Sequence, residues 1–337
     1  MDQYDEPQLY DYEEPQVREA PRKKHHPIRT IIKLVLVLAV VLFVTYSFLA
    51  VHYINMVEIV DKGERYDVGV SLMESKSVRN ILLIGTDTRS VSDSGRADTV
   101  ILMSINYKAR TITLTSFMRD SYVNIPDNGW SKLNASYRWG GPELLMDTLA
   151  LNFHISVDDY VFVNFESFAD IVDSVGGIEL TISDDEAIGM QPPMAEVNDM
   201  NGRPSNTDFL YSGGTYLMNG NQALAYSRLR YVGRSDFERT ERQRKVIQKI
   251  VEQAKKQNPV GLDKFASTCA ESVVTNMSKT DMYKLALALP YIATFEMQEL
   301  RIPADGLYTG ATTDDGQQVL QIDFDANIDL IDENIYQ

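Results

Sequence analysis

The chain has 337 residues, 44% of them hydrophobic, and a formal net charge of −16. That is enough apolar material for a sizeable core, in one large domain or two smaller ones. The acidity argues against nucleic acid as a partner, because duplex binding rests on many phosphate contacts from a basic face. A single cysteine, Cys269, excludes an intrachain disulfide framework and a cysteine-based zinc site. Its neighbours read as a helix in which it is a buried structural thiol.

Residues 1–30 are rich in proline, tyrosine and acid, then turn basic, with no apolar periodicity, and read as a disordered cytoplasmic tail. Leu34 to Val51 follow as 18 uncharged residues, extended upstream by Ile31 and Ile32. A run over residues 31–52 is long enough to cross a bilayer core of about 30 Å as a helix. Arg18, Arg22, Lys23, Lys24, Arg29 and Lys33 precede it, whereas only Lys62 and Arg65 lie shortly after it. The positive-inside rule therefore places the tail in the cytoplasm and the remainder outside. The exit, "SFLAVHYINM", has Phe48 where a cleavage site needs a small residue, so the segment reads as an uncleaved anchor. Residues 1–33 carry six basic and seven acidic side chains, which leaves −15 for the rest.

Residues 53–78 read as a partly helical juxtamembrane stalk, and residues 79–337 as one extracytoplasmic domain. "RNILLIGTD" is a buried strand ending in a loop, and "DTVILMSINYKARTITLTSF" is two strands turning near Lys108 and Ala109. "GPELLMDTLALNF" starts with Pro142 near a helix N-terminus. "YVFVNF" is a strand, "ESFADIVDSVGG" a helix closed by glycine, and "IELTI" a short alternating strand. Residues 190–214 read as a loop because of their prolines, glycines and asparagines. "NGNQALAYSR" is a short helix. A longer one runs from Asp236 to about Gln257 with apolar positions at 246, 247, 250, 251 and 254. Two helical patterns (Asp263–Met277 and Thr280–Thr294) and two strands ("QELRIP", "QVLQIDF") complete the chain. Strands and helices interleave, so the class is α/β: a three-layer α/β/α domain with a central mixed β-sheet, preceded by one transmembrane helix.

Several chemistries have no motif here: there is no phosphate-binding P-loop, dinucleotide fingerprint, zinc-protease helix or nucleophile elbow. "DFDANIDLIDEN" matches a calcium loop at its first, third and fifth positions. It has Ile328 where the turn needs glycine and Asn334 where a bidentate glutamate belongs, so it reads as a solvated acidic strand end.

What remains is a constellation of carboxylates and arginines. Asp87 and Asp98 sit beside strand ends, each with an arginine two residues away, Arg89 and Arg96. Arg119 leaves the next strand, with Asp120 beside it. Loops at strand ends are where α/β sheets build sites. Carboxylates without histidine or cysteine suit a hard cation such as Mg²⁺, and guanidinium forks match phosphate oxygens bidentately. Taken singly, these are also what ordinary surface ion pairs look like. Ser227 to Arg244 adds six arginines in eighteen residues. Arg239, Arg242 and Gln243 share a helical face with Val246 and Ile250, so the first turn of that helix points inward, at the positive end of its dipole. Arg244 falls on another face and reads as solvated, and Arg234 has no assigned role.

The blocks "RNILLIGTDTR", "GRADTVILMSIN", "TLTSFMRDSYVNIP", "KLNASYRWGG", "DYVFVNFESFADIVDSVGGIELTI", "LMNGNQALAYSRLR" and "DFERTERQR" occur in order between about Arg79 and Ala254. Together they resemble the LytR-CpsA-Psr (LCP) family. The resemblance implies a membrane-anchored phosphotransferase. It would move an anionic glycopolymer, of wall teichoic acid or capsular polysaccharide type, from a polyprenyl-pyrophosphate carrier to peptidoglycan. It further implies that Asp87 and Asp98 bind Mg²⁺ (or Mn²⁺), and that Arg89, Arg96, Arg119, Arg228, Arg230 and Arg239, with Gln243, bind pyrophosphate. Asp98, Arg119 and Arg96 are the implied catalytic residues.

Two departures stand out. Met118 replaces a common proline, and "KLNASY" lacks a common histidine, leaving Lys132 and Asn134 as secondary contacts. Asp98 and Asp120 are both candidates for a general base, as is no base at all. Leu145, Leu149, Phe153, Phe162, Phe165, Phe168 and Ile171 come from the block that lines the lipid groove in the family, although core packing alone explains such residues and none is assigned as a lipid contact. Hydrolysis of prenyl pyrophosphates and an anchored, non-enzymatic receptor for phosphorylated ligands are the competing readings.

Overall fold

The computed structural model describes residues 27–88, 95, 97–157, 159–230, 232 and 236–337. Contacts divide the chain into Met1–Ser47 and Phe48–Gln337. Helix α1 (Pro27–Ile54) is the apolar element, and within it Val35–Ile54 have a mean hydropathy of 2.4. With only 6% of that stretch buried, its side chains are not those of a soluble core helix.

Past Ile54 the expected partly helical stalk takes a different form. Residues 55–77 contain no helix, and a two-residue strand, β1 (Glu58–Ile59), is their regular element. Side chains explain this. Arg65 forms an ion pair with Asp147 and donates to the Val157 carbonyl at 2.9 Å, while the Tyr66 amide donates to Asp147 at 2.8 Å. The segment lies along the globular unit and meets its hydrogen bonds there.

A seven-stranded mixed sheet organises that unit, in the order β1-β10-β7-β2-β3-β4-β11. β2 (Val78–Thr86), β3 (Ala97–Asn106) and β4 (Thr111–Phe117) form its antiparallel centre, with the β3–β4 turn at residues 107–110 as the sequence predicts. β5 (Ser121–Ile125) and β6 (Gly129–Lys132) make a hairpin that leads into α2 (Leu133–Phe153). β7 (Asp159–Asn164) returns parallel to β2 and runs into α3 (Phe165–Ser174). A second hairpin, β8 (Ile178–Ile182) with β9 (Gly214–Met218), encloses α4 (Asp184–Met200). Then follow α5 (Gly220–Arg228), α6 (Asp236–Ala254), α7 (Pro259–Ser272), β10 (Val274–Thr275) and α8 (Lys279–Ile292). β11 (Glu296–Ile302) pairs parallel to β4, and β12 (Tyr308–Thr312), β13 (Gln318–Ile322) and α9 (Phe324–Ile331) end the fold.

Alternation along the central strands produces the three layers, because successive side chains face opposite sides. Leu82, Ile84, Val100 and Leu102 pack against Leu145, Leu149 and Phe153 of α2 and Ile331 of α9. On the other face, Ile81 and Ile105 meet Ile292 and Phe295, with Met282 and Leu285 of α8 beside them. Each fully buried leucine or phenylalanine contributes about 1.5–3 kcal/mol. A separate cluster joins α3 to α6 and the β8–β9 hairpin through Val172, Leu180, Met190, Met194, Tyr226 and Val246.

Two stretches read as non-helical, one as a loop and one as an acidic strand end, are helical. The span read as a loop at 190–214 is helix α4 up to Met200, despite Pro192 and Pro193. Ser183 accepts from the Glu186 amide while Glu186 reaches back to the Ser183 amide, a reciprocal cap that starts the helix. Ala187, Met190 and Met194 then bury one face. The acidic stretch at Asp323 is likewise a helix start: Asp323 accepts from the Ala326 amide and caps α9. The helix expected over Asp263–Met277 ends at Ser272 and gives way to β10. Half-buried in α7, Cys269 has its thiol pushed up to about 12 by burial, which keeps it unreactive.

α2 is two helical segments. Gly140 and Gly141 break it, and Gly141 sits at φ 65°, ψ −158°, a region open in practice to glycine alone. Pro142 then opens the second segment, as proline does at a first helical position. The first segment, Leu133–Trp139, starts beside Arg119, whose carbonyl accepts from the Asn134 amide at 3.1 Å.

Replacing Ser183 by alanine should lower the unfolding free energy by about 1 kcal/mol. The shift should appear as a lower denaturant midpoint at unchanged slope.

Candidate active site

Four strand ends meet at one edge of the sheet. β2 and β7 are parallel and finish there, β3 runs antiparallel and begins there, and β4 finishes beside it. Asp87 lies one residue past β2, Asp98 is the second residue of β3, and Arg119 follows β4 by two. Above this edge α5 ends at Arg228. Leu229 is extended, at φ −56° and ψ 125°, so Arg230 leaves the helix on the same side. The first turn of α6 supplies Asp236 and Arg239.

Asp87, Asp98, Arg119, Arg228, Arg230, Arg239 and Gln243 all line one cavity of about 630 Å³. Arg89 and Arg96 lie outside the described residues, as does Arg234. Asp98 Oδ1 accepts from Arg119 Nη1 at 2.9 Å and from Arg230 Nη2 at 3.2 Å. Arg119 Nε donates to Asp236 Oδ2 at 2.9 Å, and Asp236 Oδ1 stands 3.3 Å from Arg239 Nη1. Arg228 donates to Glu196 at 2.8 Å and lies 4.6 Å over the Phe165 ring. Gln243 makes a long 3.5 Å contact to the Ser227 carbonyl.

The electrostatics differ from one arginine to the next. Burial opposes the charge on Arg119, but Asp236, Asp120 and Asp98 outweigh it and hold its pKa above the ordinary value. For Asp236 burial works upward, yet Arg239 and Arg119 prevail and hold it below the usual carboxylate range. Arg239 is the outlier. Burial first, then repulsion from Arg119 and Arg230, bring it down to about 10 despite the attraction of Asp236 and Asp98. It is only 2% exposed, and its Nε and Nη1 have no hydrogen-bond acceptor among the described residues. Buried donors left unmet cost about 1–3 kcal/mol each. An anion in the cavity would meet them.

Asp87 and Asp98 offer two carboxylates on the same cavity, and no cluster of three or more histidine, cysteine or acidic side chains occurs among the described residues. Such a sparse, all-oxygen donor set matches a hard cation that takes most of its shell from water and phosphate.

Some residues land elsewhere than expected. Arg244, read as solvated, is 7% exposed and donates to Glu299 at 2.7 Å and to Ser116 Oγ at 2.8 Å. α6 packs between the helical cluster and the β4–β11 edge, so it has a second covered face. Arg242, placed by its spacing on the inward face of the helix, pairs with Glu186 at 2.9 Å and Glu238 at 3.0 Å and ties α6 to α4. Leu145, Leu149, Phe153 and Phe162 are core, and of the seven apolar residues considered for a lipid groove only Phe165 lines the cavity. Met118 is 1% exposed and packs beneath α6, receiving a contact from Thr240 at 3.9 Å.

Three participants escape the sequence reading. Arg138 lines the cavity from the first segment of α2, and Glu196 and the Pro192–Pro193 pair line it from α4. The reciprocal Ser183–Glu186 cap and the 3–4 spacing of Ala187, Met190 and Met194 were the available signal for α4. Arg138 carries no such signal.

The profile of the LytR_cpsA_psr family matches residues 44–330. The polyisoprenyl-teichoic acid–peptidoglycan teichoic acid transferase TagU of Bacillus subtilis (strain 168) is 33% identical over 260 residues, 74% of this chain and 78% of that protein. The TagU transferase of Enterococcus faecalis (strain ATCC 700802 / V583) is 34% identical over 235 residues, 68% of this chain and 71% of its own length. Among solved structures, "TagT bound to LI-WTA" matches with a TM-score of 0.60 at 25% identity, covering 82% of this chain and 96% of that one. With the family profile spanning most of its length, the chain belongs to the LytR_cpsA_psr family.

Proposed function

We propose that this chain is a membrane-anchored phosphotransferase moving an anionic glycopolymer of teichoic acid type from a polyprenyl-pyrophosphate carrier to peptidoglycan. The observation that carries the reading is the convergence of Arg119, Arg228, Arg230 and Arg239 with two aspartates on one cavity, where buried donors of Arg239 lack an acceptor among the described residues. The names of the two curated relatives supply the substrate class, polyisoprenyl-linked teichoic acid as donor and peptidoglycan as acceptor. α1 would be the anchor, with the tail inside and residues beyond it outside, following the excess of lysine and arginine before the apolar run.

The chemistry asks for positioning and charge neutralisation more than for a covalent nucleophile. An acceptor hydroxyl attacks the phosphoryl group next to the glycan, and the bond to the bridging oxygen breaks. A phosphodiester forms and polyprenyl phosphate leaves. Asp87 and Asp98 would hold Mg²⁺ (or Mn²⁺), which when bound supplies neutralising charge to diphosphate oxygens. Arg119 and Arg230 both pair with Asp98, which leaves their remaining N–H groups for oxygens that gain charge in the transition state. Arg239 contributes the unmet donors. Phe165, Pro192, Pro193 and Leu229 give the cavity an apolar part of its lining, suited to the start of a prenyl chain.

Asp98→Ala and Arg119→Ala should each lower transfer from a lipid-pyrophosphate donor by about 10²–10³ while the protein stays folded. Chelation of divalent cations should suppress transfer and added Mg²⁺ restore it. Full activity in either variant would refute the site, and equal rates of phosphate-ester release with and without glycan acceptor would replace transfer by hydrolysis.

Inorganic pyrophosphate at about a hundredfold its Kd should stabilise the folded chain by about 2.7 kcal/mol. A rise of several degrees in the thermal midpoint should report it. Arg239→Met should abolish that rise.

A further inference from the structure

A second cavity of about 360 Å³ adjoins the first, and Arg119, Arg138 and Arg230 line both. Its remaining walls come from Asp120, Ser131, Lys132, Asn134, Ala135, Trp139 and Gln317. Asp120 is the one carboxylate among these lining residues, and its Oδ1 accepts from Lys132 at 2.8 Å. No prolines or phenylalanines line it, in contrast to the first cavity.

The two tryptophans of the chain are placed differently. Trp130 is exposed but leans on Tyr122 and Phe324, at centroid distances of 5.5 and 6.1 Å. Trp139 is 49% exposed and stacks on no ring among the described residues. Its segment begins beside Arg119, whose carbonyl accepts from the Asn134 amide at 3.1 Å, and ends at the Gly140–Gly141 break. A bare indole face beside charged and amide side chains is suited to a sugar ring, whose C–H face is apolar while its hydroxyls seek polar partners.

In-line displacement at phosphorus puts the attacking and leaving oxygens on opposite sides. Of the arginines that would grip the phosphoryl group, Arg119 and Arg230 line both cavities, as does Arg138. With the apolar lining on one side, the leaving prenyl phosphate belongs there, and the attacking group belongs in the other cavity. We propose that this second cavity is the acceptor subsite. It takes an N-acetylated hexosamine of the peptidoglycan glycan strand, stacked on Trp139, with Asp120 receiving the proton of the attacking hydroxyl. In that step the acceptor oxygen bonds to phosphorus, its proton moves to the Asp120 carboxylate, and polyprenyl phosphate departs with the bridging oxygen. The inference rests on the transfer reading above.

Trp139→Ala should raise the KM for a glycan-strand oligosaccharide by about tenfold, leave the affinity for a prenyl pyrophosphate unchanged, and be largely rescued by Trp139→Tyr. Binding can be read apart from turnover. In a Trp130→Phe chain Trp139 is the sole tryptophan, and the oligosaccharide alone should shift its emission. An unchanged KM in Trp139→Ala would overturn the proposal, as would an unshifted emission. If Trp139→Ala instead weakened binding of the polymer-bearing donor, or a poly(polyol phosphate) shifted the emission where the oligosaccharide did not, the cavity would belong to the donor. Because the emission shift needs no catalysis, a chain that bound the oligosaccharide yet transferred nothing would count against the transfer reading and leave the subsite standing.

Discussion

Asp98 Oδ1 receives two guanidinium groups, from Arg119 at 2.9 Å and Arg230 at 3.2 Å, and the edge of the domain is tied together through it. Arg119 continues the chain of charges to Asp236, and Asp236 to Arg239. Four segments remote in sequence meet in this way: the start of β3, the turn after β4, the residue past α5 and the first turn of α6. Left to themselves the arginines would repel. Two unit charges 4 Å apart interact by about 1 kcal/mol in water and about 4 kcal/mol at the effective dielectric of a protein surface. Interleaved aspartates hold them together while leaving donor groups free on the cavity side. Positive charge is thus concentrated where the rest of the chain, at a formal −16 overall, is strongly negative.

The network is balanced unevenly, and the imbalance matters for chemistry. Arg119 is over-compensated by three carboxylates, which raises its pKa, whereas Arg239 is buried next to two like charges and is lowered to about 10. The first is a fixed strut; the second is a cation whose surroundings disfavour its charge until something negative arrives. A site built wholly of compensated pairs would gain little from a phosphate, since each new contact would displace an existing one. Arg239, which has Asp236 3.3 Å away but no hydrogen-bond acceptor for Nε and Nη1 among the described residues, gives the cavity a preference for an anion.

How much of this the sequence discloses depends on the range of the forces involved. β2, β3 and β4 are legible because their β-branched, alternating residues respond to a local rule, and so are Asp87, Asp98 and Arg119 at their ends. The inward face of α6 is legible as well, since Arg239, Gln243, Val246 and Ile250 follow helical spacing. α4 is obscured by Pro192 and Pro193, which each delete a backbone donor, yet capping at Ser183 and burial of Met190 and Met194 offset that loss. Arg244 is misjudged because helical periodicity presumes one buried face, and α6 has a second against Ser116 and Glu299. The packing of residues 55–77 onto Asp147 and Val157 rests on tertiary contacts that no local pattern announces.

Arg138 and Trp139 show what a local reading of this kind leaves out. Nothing in "SYRWGG" marks them, and in an unbroken helix they would follow the axis of the core segment of α2. Gly141 at φ 65° separates their segment from the core one, and the two residues line a cavity with Arg119 and Arg230. A bare aromatic face then marks the polar cavity, which shares its guanidinium groups with the partly apolar one. Hydrolysis would need no second cavity, because water requires no platform to reach a phosphorus. Transfer to a large acceptor does, and it needs the platform on the side away from the leaving lipid. The sharing of Arg119, Arg138 and Arg230 between two cavities is therefore the feature that most favours a glycan over water as the attacking group.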